Sequence, residues 1–146
     1  MPDVNSGIYI GVDFGLKRIG LARSDPTGLI ASAYKTITYK SINRAIDEIV
    51  EDIDKLGAGG VVVGYPVAPD GGTGGERCRM VDDFIGRLEK KYTGPIYKYD
   101  ERFSSVEAEE MIHLHGKKTG RDKGKVDRMA AALILQRFLD ERQKTE

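Results

Sequence analysis

The sequence predicts an α/β fold, a mixed five-stranded sheet flanked by helices, on three observations. Its 146 residues suffice for one domain with a substantial core. The first 40 residues hold three strand-like runs separated only by turn residues, the pattern of an antiparallel meander. From residue 41 onward, stretches of helical periodicity alternate with short apolar runs, the pattern of parallel strands joined by helices.

Residues 8–13, Ile-Tyr-Ile-Gly-Val-Asp, read as a strand buried on both faces that ends on a carboxylate. Gly15 permits a tight turn, after which residues 18–25 and 29–39 read as two further strands joined near Pro26-Thr27-Gly28. Ser41 caps a helix whose Ile42, Ala45, Ile46, Ile49, Ile53 and Leu56 follow the i, i+3, i+4, i+7 rule up to Gly57. Residues 60–64, three valines between glycines, supply a central strand, and a glycine-rich loop over residues 65–75 follows it.

A second helix carries Arg77, Val81, Phe84, Ile85, Leu88 and Tyr92 along one stripe, and Gly94-Pro95 turns the chain into a strand over residues 96–101. Ser104 and Glu107 form a capping box that opens a third helix, with Ala108, Met111, Ile112 and His115 on one face. After a basic loop, a last helix spans about residues 125–141, and Asp127 shares a face with Ala130, Ala131, Ile134 and Phe138.

Composition narrows the function classes. Hydrophobic content of 40% and charged content of 32% are those of a globular protein, not a disordered one. The single cysteine, Cys78, excludes an intramolecular disulfide and any multi-cysteine metal site, and reads as an inert small side chain. No stretch approaches a membrane span and residues 1–7 lack the features of a signal peptide, so the expected location is cytoplasmic, with no membrane partner. Basic and acidic residues balance at 23 each, so any affinity for phosphate has to be local.

The acids supply a candidate chemistry. Asp13 and Glu101 stand at the carboxyl ends of strands, where open α/β sheets bind ligands. Asp127 heads a core-facing stripe, where a carboxylate is costly unless a cation or hydrogen bonds compensate it. Three converging carboxylates repel one another, and a hard cation such as Mg²⁺ or Mn²⁺ among their oxygens relieves that repulsion. A pair of such ions, about 3.5–4 Å apart, activates water and stabilises the leaving oxygen of a phosphodiester. Each acid taken singly also has an ordinary explanation: Asp13 begins a turn, Asp100 or Glu101 pairs with Arg102, and Asp127 favours its helix terminus. Strand alternation points Asp100 and Glu101 to opposite faces, so only one belongs to the site, and alternation alone does not say which.

The hairpin Asp13-Phe14-Gly15-Leu16-Lys17-Arg18-Ile19-Gly20-Leu21-Ala22 joins a carboxylate, a tight turn and a second strand, so that a phosphate can approach the backbone. That pattern is common to RNase H-like nucleases and to the sugar-kinase and actin group of ATPases. The remaining blocks separate them: Ser24-Asp25, Val63-Gly64-Tyr65-Pro66, Asp70-Gly71, Asp100-Glu101-Arg102, and Asp127 with Ala130-Ala131 and Ile134-Leu135-Gln136. With these, nearly the whole chain resembles the YqgF family, also called RuvX, described as Holliday junction resolvases or pre-16S rRNA nucleases of bacteria.

The resemblance implies one RNase H-like domain over residues 1–146 and a metal-dependent nuclease, endo- or exonucleolytic, using Mg²⁺ or Mn²⁺ as two ions. It implies catalytic and metal-holding acids at Asp13, Glu101 and Asp127, with Arg102 adjoining them. The implied reaction is processing of the 5′ end of pre-16S rRNA, alternatively resolution of four-way DNA. The corresponding partners are pre-rRNA, a ribosomal particle or branched DNA, bound by a monomer or a homodimer. Tyr65 departs from the family, which usually carries leucine there, and the loop over residues 71–75 is richer in glycine than expected.

The surroundings add a local positive field. Lys117, Lys118, Arg121, Lys123, Lys125 and Arg128 cluster around Asp127, and Lys17 and Arg18 follow Asp13. Substrate contact is expected of Lys17, Arg18, Arg102, Lys118, Arg121, Lys125 and Arg128. Arg77 reads as covering an apolar face in preference to clamping substrate, His115 as packing in preference to ligating metal, and Tyr39, Tyr65, Tyr92, Tyr97 and Tyr99 as scattered, with no stacking platform. Two other classes remain open: a nucleotide-binding, ATPase-like module on the same hairpin, and a non-catalytic ribosome-associated protein.

Overall fold

In a computed structural model that describes residues 7–66, 75–100 and 123–145, the meander comes first. Strands β1 (Tyr9–Phe14), β2 (Arg18–Ser24) and β3 (Ala31–Thr38) pair antiparallel in sequence order. Strand β4 (Gly60–Tyr65) lies parallel to β1 on its other side, and β5 (Ile96–Asp100) lies parallel to β4. The sheet order is therefore β3-β2-β1-β4-β5, the mixed five-stranded sheet that the pattern predicts. Helices α1 (Ile42–Leu56), α2 (Glu76–Glu89) and α3 (Lys123–Thr145) complete the described elements.

Local chemistry sets the boundaries. The Ser41 side chain accepts from the Arg44 N–H at 3.3 Å, and Gly57 ends α1 with φ +69°, a conformation that glycine adopts without strain. At the β2–β3 connection, the Thr27 hydroxyl and the Ile30 and Leu29 N–H groups donate to the Asp25 carboxylate, which brings its pKa down to about 2. Ser24 is fully buried; its hydroxyl donates to the Gly7 carbonyl at 2.6 Å and accepts from the Tyr9 N–H at 2.7 Å. The Ser24-Asp25 block thus has a structural explanation in chain closure. The last helix is longer than the expected 125–141, and the helix expected after Ser104 lies outside the described residues.

Strand alternation sorts the side chains onto two faces. Ile10, Val12, Phe14, Ile19, Leu21, Val61 and Val63 pack with Ile46, Ile49 and Ile53 of α1 and Val81, Phe84 and Leu88 of α2. Ala22 and Val62, on the opposite face, pack with Ala131, Ile134, Leu135 and Phe138 of α3. Gly11 and Gly20 belong to this second face. A Cβ at Gly11 would lie 2.8 Å from the Leu135 Cβ, and one at Gly20 would lie 2.0 Å from the Asp127 carbonyl oxygen. The helix therefore rests on the strands with almost no side chain between the two backbones.

Gly20→Ala puts a methyl into the backbone of α3, which cannot yield as a flexible side chain does, and is expected to cost at least about 2 kcal/mol in urea unfolding. Gly86 of α2 has nothing within 4 Å of an added Cβ, so Gly86→Ala is expected to stabilise by about 0.5–1 kcal/mol.

Candidate active site

The sheet geometry brings Asp13, Arg18 and Asp127 to one place. Asp13 pairs across the strands with Gly20, and directly opposed residues of an antiparallel pair project from the same face. That face carries α3, whose backbone at Asp127 touches Gly20. Arg18 lies two residues before Gly20 on the same face, a diagonal neighbour of Asp13 at about 7–8 Å between Cα atoms. Its Nε donates to Asp127 Oδ2 at 2.7 Å, with both side chains largely shielded from solvent. The cation that Asp127 requires is thus present in the protein itself, so desolvation of Asp127 is not by itself an argument for metal.

The hairpin between the two strands is held firmly. The Tyr39 hydroxyl donates to the Gly15 carbonyl at 2.7 Å, and the Tyr39 N–H donates to the Lys17 carbonyl at 3.2 Å. Phe14 anchors its root against Phe84, with ring centroids 4.9 Å apart. Burial raises the Tyr39 pKa and keeps it a phenol donor. Lys17 and Leu16 stand exposed at the tip.

Other expected site residues divide three ways. Arg128 is half-buried and donates to the Thr36 hydroxyl at 3.2 Å, while that hydroxyl donates to the Gly124 carbonyl at 2.6 Å. It therefore fastens the start of α3 to β3 in addition to any contact with phosphate. Lys125 is exposed on α3. Glu101, Arg102, Lys118 and Arg121 lie outside the described residues, as does His115. Asp100 pairs in register with Tyr65, and Lys98 of the same parity bonds Asp82 of α2, so Asp100 projects toward the α1 and α2 side. Tyr97 and Tyr99 project toward α3.

One feature departs from the sequence reading. Tyr97 and Tyr99 are not scattered: with Tyr9 they converge on Phe138, with tilted or edge-on rings that make a packed cluster and not a flat stacking platform. Arg77 is exposed and lines a cavity with the apolar Phe14, Met80 and Val81 and with Lys17 and Arg18, so it stands beside an apolar surface and the basic hairpin at once. Tyr65, the family departure, donates to Asp82 at 3.0 Å away from the α3 face, and burial with Asp82 beside it raises its pKa to about 12. Buried Cys78 donates to the Pro66 carbonyl at 3.2 Å, an ordinary packing role.

Among the described residues, no group of three or more His, Cys, Asp or Glu is arranged to hold a metal. Asp13 and Asp127 nevertheless offer hard oxygen donors on one face, and Mg²⁺ is commonly held by one or two carboxylates with waters and substrate phosphate completing its shell. The described donors fit a hard divalent ion.

Comparison with known proteins identifies the fold and the family. Thermus thermophilus RuvC superposes with a TM-score of 0.60 at 17% identity, covering 94% of this chain and 97% of that one. A fowlpox virus resolvase, solved with Holliday junction DNA, gives 0.57 at 10% identity, covering 92% and 98%. Likeness at such identities concerns the fold, which is RNase H-like. A Trichormus variabilis protein named "Putative pre-16S rRNA nuclease" is 40% identical over 131 residues, 90% of this chain and 86% of that protein. A protein of the same name from Lachnospira eligens is 36% identical over 141 residues, covering 92% and 98%. Fold and relatives together define a phosphodiester-hydrolysing enzyme of the RNase H-like class. Within that class the chain belongs to the RuvX family, whose model, described as "Holliday junction resolvase", matches residues 7–141. Among the described residues no helix is long and apolar enough to cross a membrane.

The Arg18–Asp127 pair is testable by a double-mutant cycle. Arg18→Ala and Asp127→Asn in guanidinium-free urea unfolding are expected to show a coupling energy of about 1 kcal/mol, reduced but not abolished by high salt. A coupling near zero would mean that the pair does not hold α3 in solution.

Proposed function

We propose that the protein is a divalent-metal-dependent nuclease acting on precursor 16S rRNA, with Asp13, Glu101 and Asp127 as its metal-holding acids. The observation that carries the reading is the contact of Gly20 with the Asp127 backbone directly across from Asp13. Orientation of Asp100 toward α2 supports Glu101, its neighbour outside the described residues, as the third acid. The preference for RNA rests on the shared name of relatives that are 36–40% identical.

Mg²⁺ or Mn²⁺ held by these acids, as one ion or two, supplies Lewis-acid polarisation of the scissile phosphate and a more acidic attacking water. The side chains of the chain itself do the rest. Arg18 fixes Asp127 against the sheet and offsets part of the acids' mutual repulsion. Lys17, Arg18, Lys125 and Arg128, together with Arg102, Lys118 and Arg121 outside the described residues, attract the phosphate backbone without reading sequence. Local charge of this kind serves a chain whose global charge is zero. Such substrates belong to the cytoplasm of bacteria, the location this reading requires.

The family description favours a second substrate, the four-way DNA junction. Symmetric resolution of a junction calls for two active sites related by a two-fold axis, hence a homodimer, whereas trimming of one strand needs only a monomer.

The test is cleavage of a precursor 16S RNA fragment and of a four-way DNA junction with Mg²⁺, Mn²⁺ or EDTA. The RNA is expected to be cut with metal and not with EDTA, and Asp13→Asn or Asp127→Asn should each slow cutting by about 10²- to 10³-fold. Cutting that survives both substitutions would refute the site; cutting of the junction alone would transfer the assignment to DNA.

A further inference from the structure

A cavity of about 430 Å³ opens between the β1–β2 hairpin and the first turns of α2, on the side of the hairpin away from α3. Phe14 and Met80 form apolar wall, and Leu16 contributes a side chain that is 71% exposed at the hairpin tip. Lys17 and Arg77 bring cations to the same cavity, Arg18 lines it as well, and among the described residues no carboxylate does. The groove beside it, sharing Phe14 and Met80, has Lys40 and Arg79 offset by Glu76 and Asp83. Of these two neighbours, the first is the one whose described lining is net positive.

We propose that this cavity is a binding subsite for one phosphate-bearing nucleotide of a single strand, held next to the carboxylates. The volume falls within the roughly 300–1,000 Å³ of small-ligand sites. A nucleotide has the matching duality: its phosphate suits Lys17 and Arg77, and its base or sugar covers Leu16 and Met80, which water solvates poorly. The site is built in advance, because Tyr39 fixes the hairpin backbone at Gly15 and Lys17 and so limits the ordering cost of binding. Arg18 belongs to both places, lining the cavity while its Nε holds Asp127. A strand occupying the cavity thus runs along the hairpin that also carries Asp13 and Arg18. The subsite rests on the nuclease reading only for the strand being a substrate.

Binding of a fluorescent single-stranded RNA hexanucleotide, measured by anisotropy in EDTA, tests the subsite without any cleavage. Arg77→Glu is expected to weaken binding by about 10-fold or more and to reduce the slope of log K against log salt by about 0.7, the value of one lost phosphate contact on a single strand. Met80→Glu should weaken binding similarly, and Arg79→Glu, in the neighbouring groove, by less than about 2-fold. A nucleoside 5′-monophosphate should displace the strand at lower concentration than inorganic phosphate or the nucleoside alone. Equal losses for Arg77→Glu and Arg79→Glu, or competition by phosphate as strong as by the nucleotide, would overturn the subsite. A mononucleotide that binds as tightly as the hexanucleotide would overturn the strand and identify a free-nucleotide site. Failure of cleavage in the metal assay leaves these results unchanged, so the two readings fail separately.

Discussion

Helix α3 meets the sheet backbone to backbone, and the rest of the site depends on that contact. Gly11 and Gly20 have no side chain to hold the helix away, and a Cβ at Gly20 would lie 2.0 Å from the Asp127 carbonyl oxygen. Because Asp13 is the cross-strand partner of Gly20, the same contact that buries Ala131, Ile134 and Leu135 also sets two distant carboxylates on one face. Packing and chemistry are therefore not separable here: moving α3 outward by the width of a methyl loosens both. The glycines of the Asp13–Ala22 hairpin act first as points of close approach.

A site assembled in this way gathers like charge, and the fold contains its own partial remedy. Arg18 bonds Asp127 from within the same hairpin that supplies Asp13. Two carboxylates and one guanidinium leave a net negative site suited to a divalent cation, whereas the described lining of the cavity on the other side of the hairpin joins apolar side chains to cations. Opposite fields separated by one turn of chain suit a ligand that is itself a repeating anion, with one phosphate held while another is brought to the acids.

Much of this was legible in the sequence, for stated reasons. Helix α1 was bounded correctly because Ser41 and Gly57 are chemically unambiguous caps. The mixed sheet followed from three runs without a helix among them and then two crossovers, whereas the place of β4 beside β1 came only with the structure. The pairing of Arg18 with Asp127 was not legible, since no periodicity links residues 109 positions apart. Convergence of Tyr9, Tyr97 and Tyr99 on Phe138 was missed for the same reason. The place of Arg77 beside apolar side chains agrees with its position on a helical stripe, whereas its nearness to Lys17 and Arg18 of the hairpin is not something sequence spacing reports. Asp100 was separated from the α3 face only once the register of β5 against β4 was known.

The most direct test of the central claim is a Mn²⁺ titration followed by paramagnetic broadening of backbone amide resonances. Saturable broadening centred on Asp13, Gly20 and Asp127, and lost in Asp13→Asn, is the result predicted by one shared metal site at the β1–α3 contact. Broadening that persists unchanged in Asp13→Asn, or that centres on the acidic surface of α1 at Asp47, Glu48 and Glu51 instead, would contradict it.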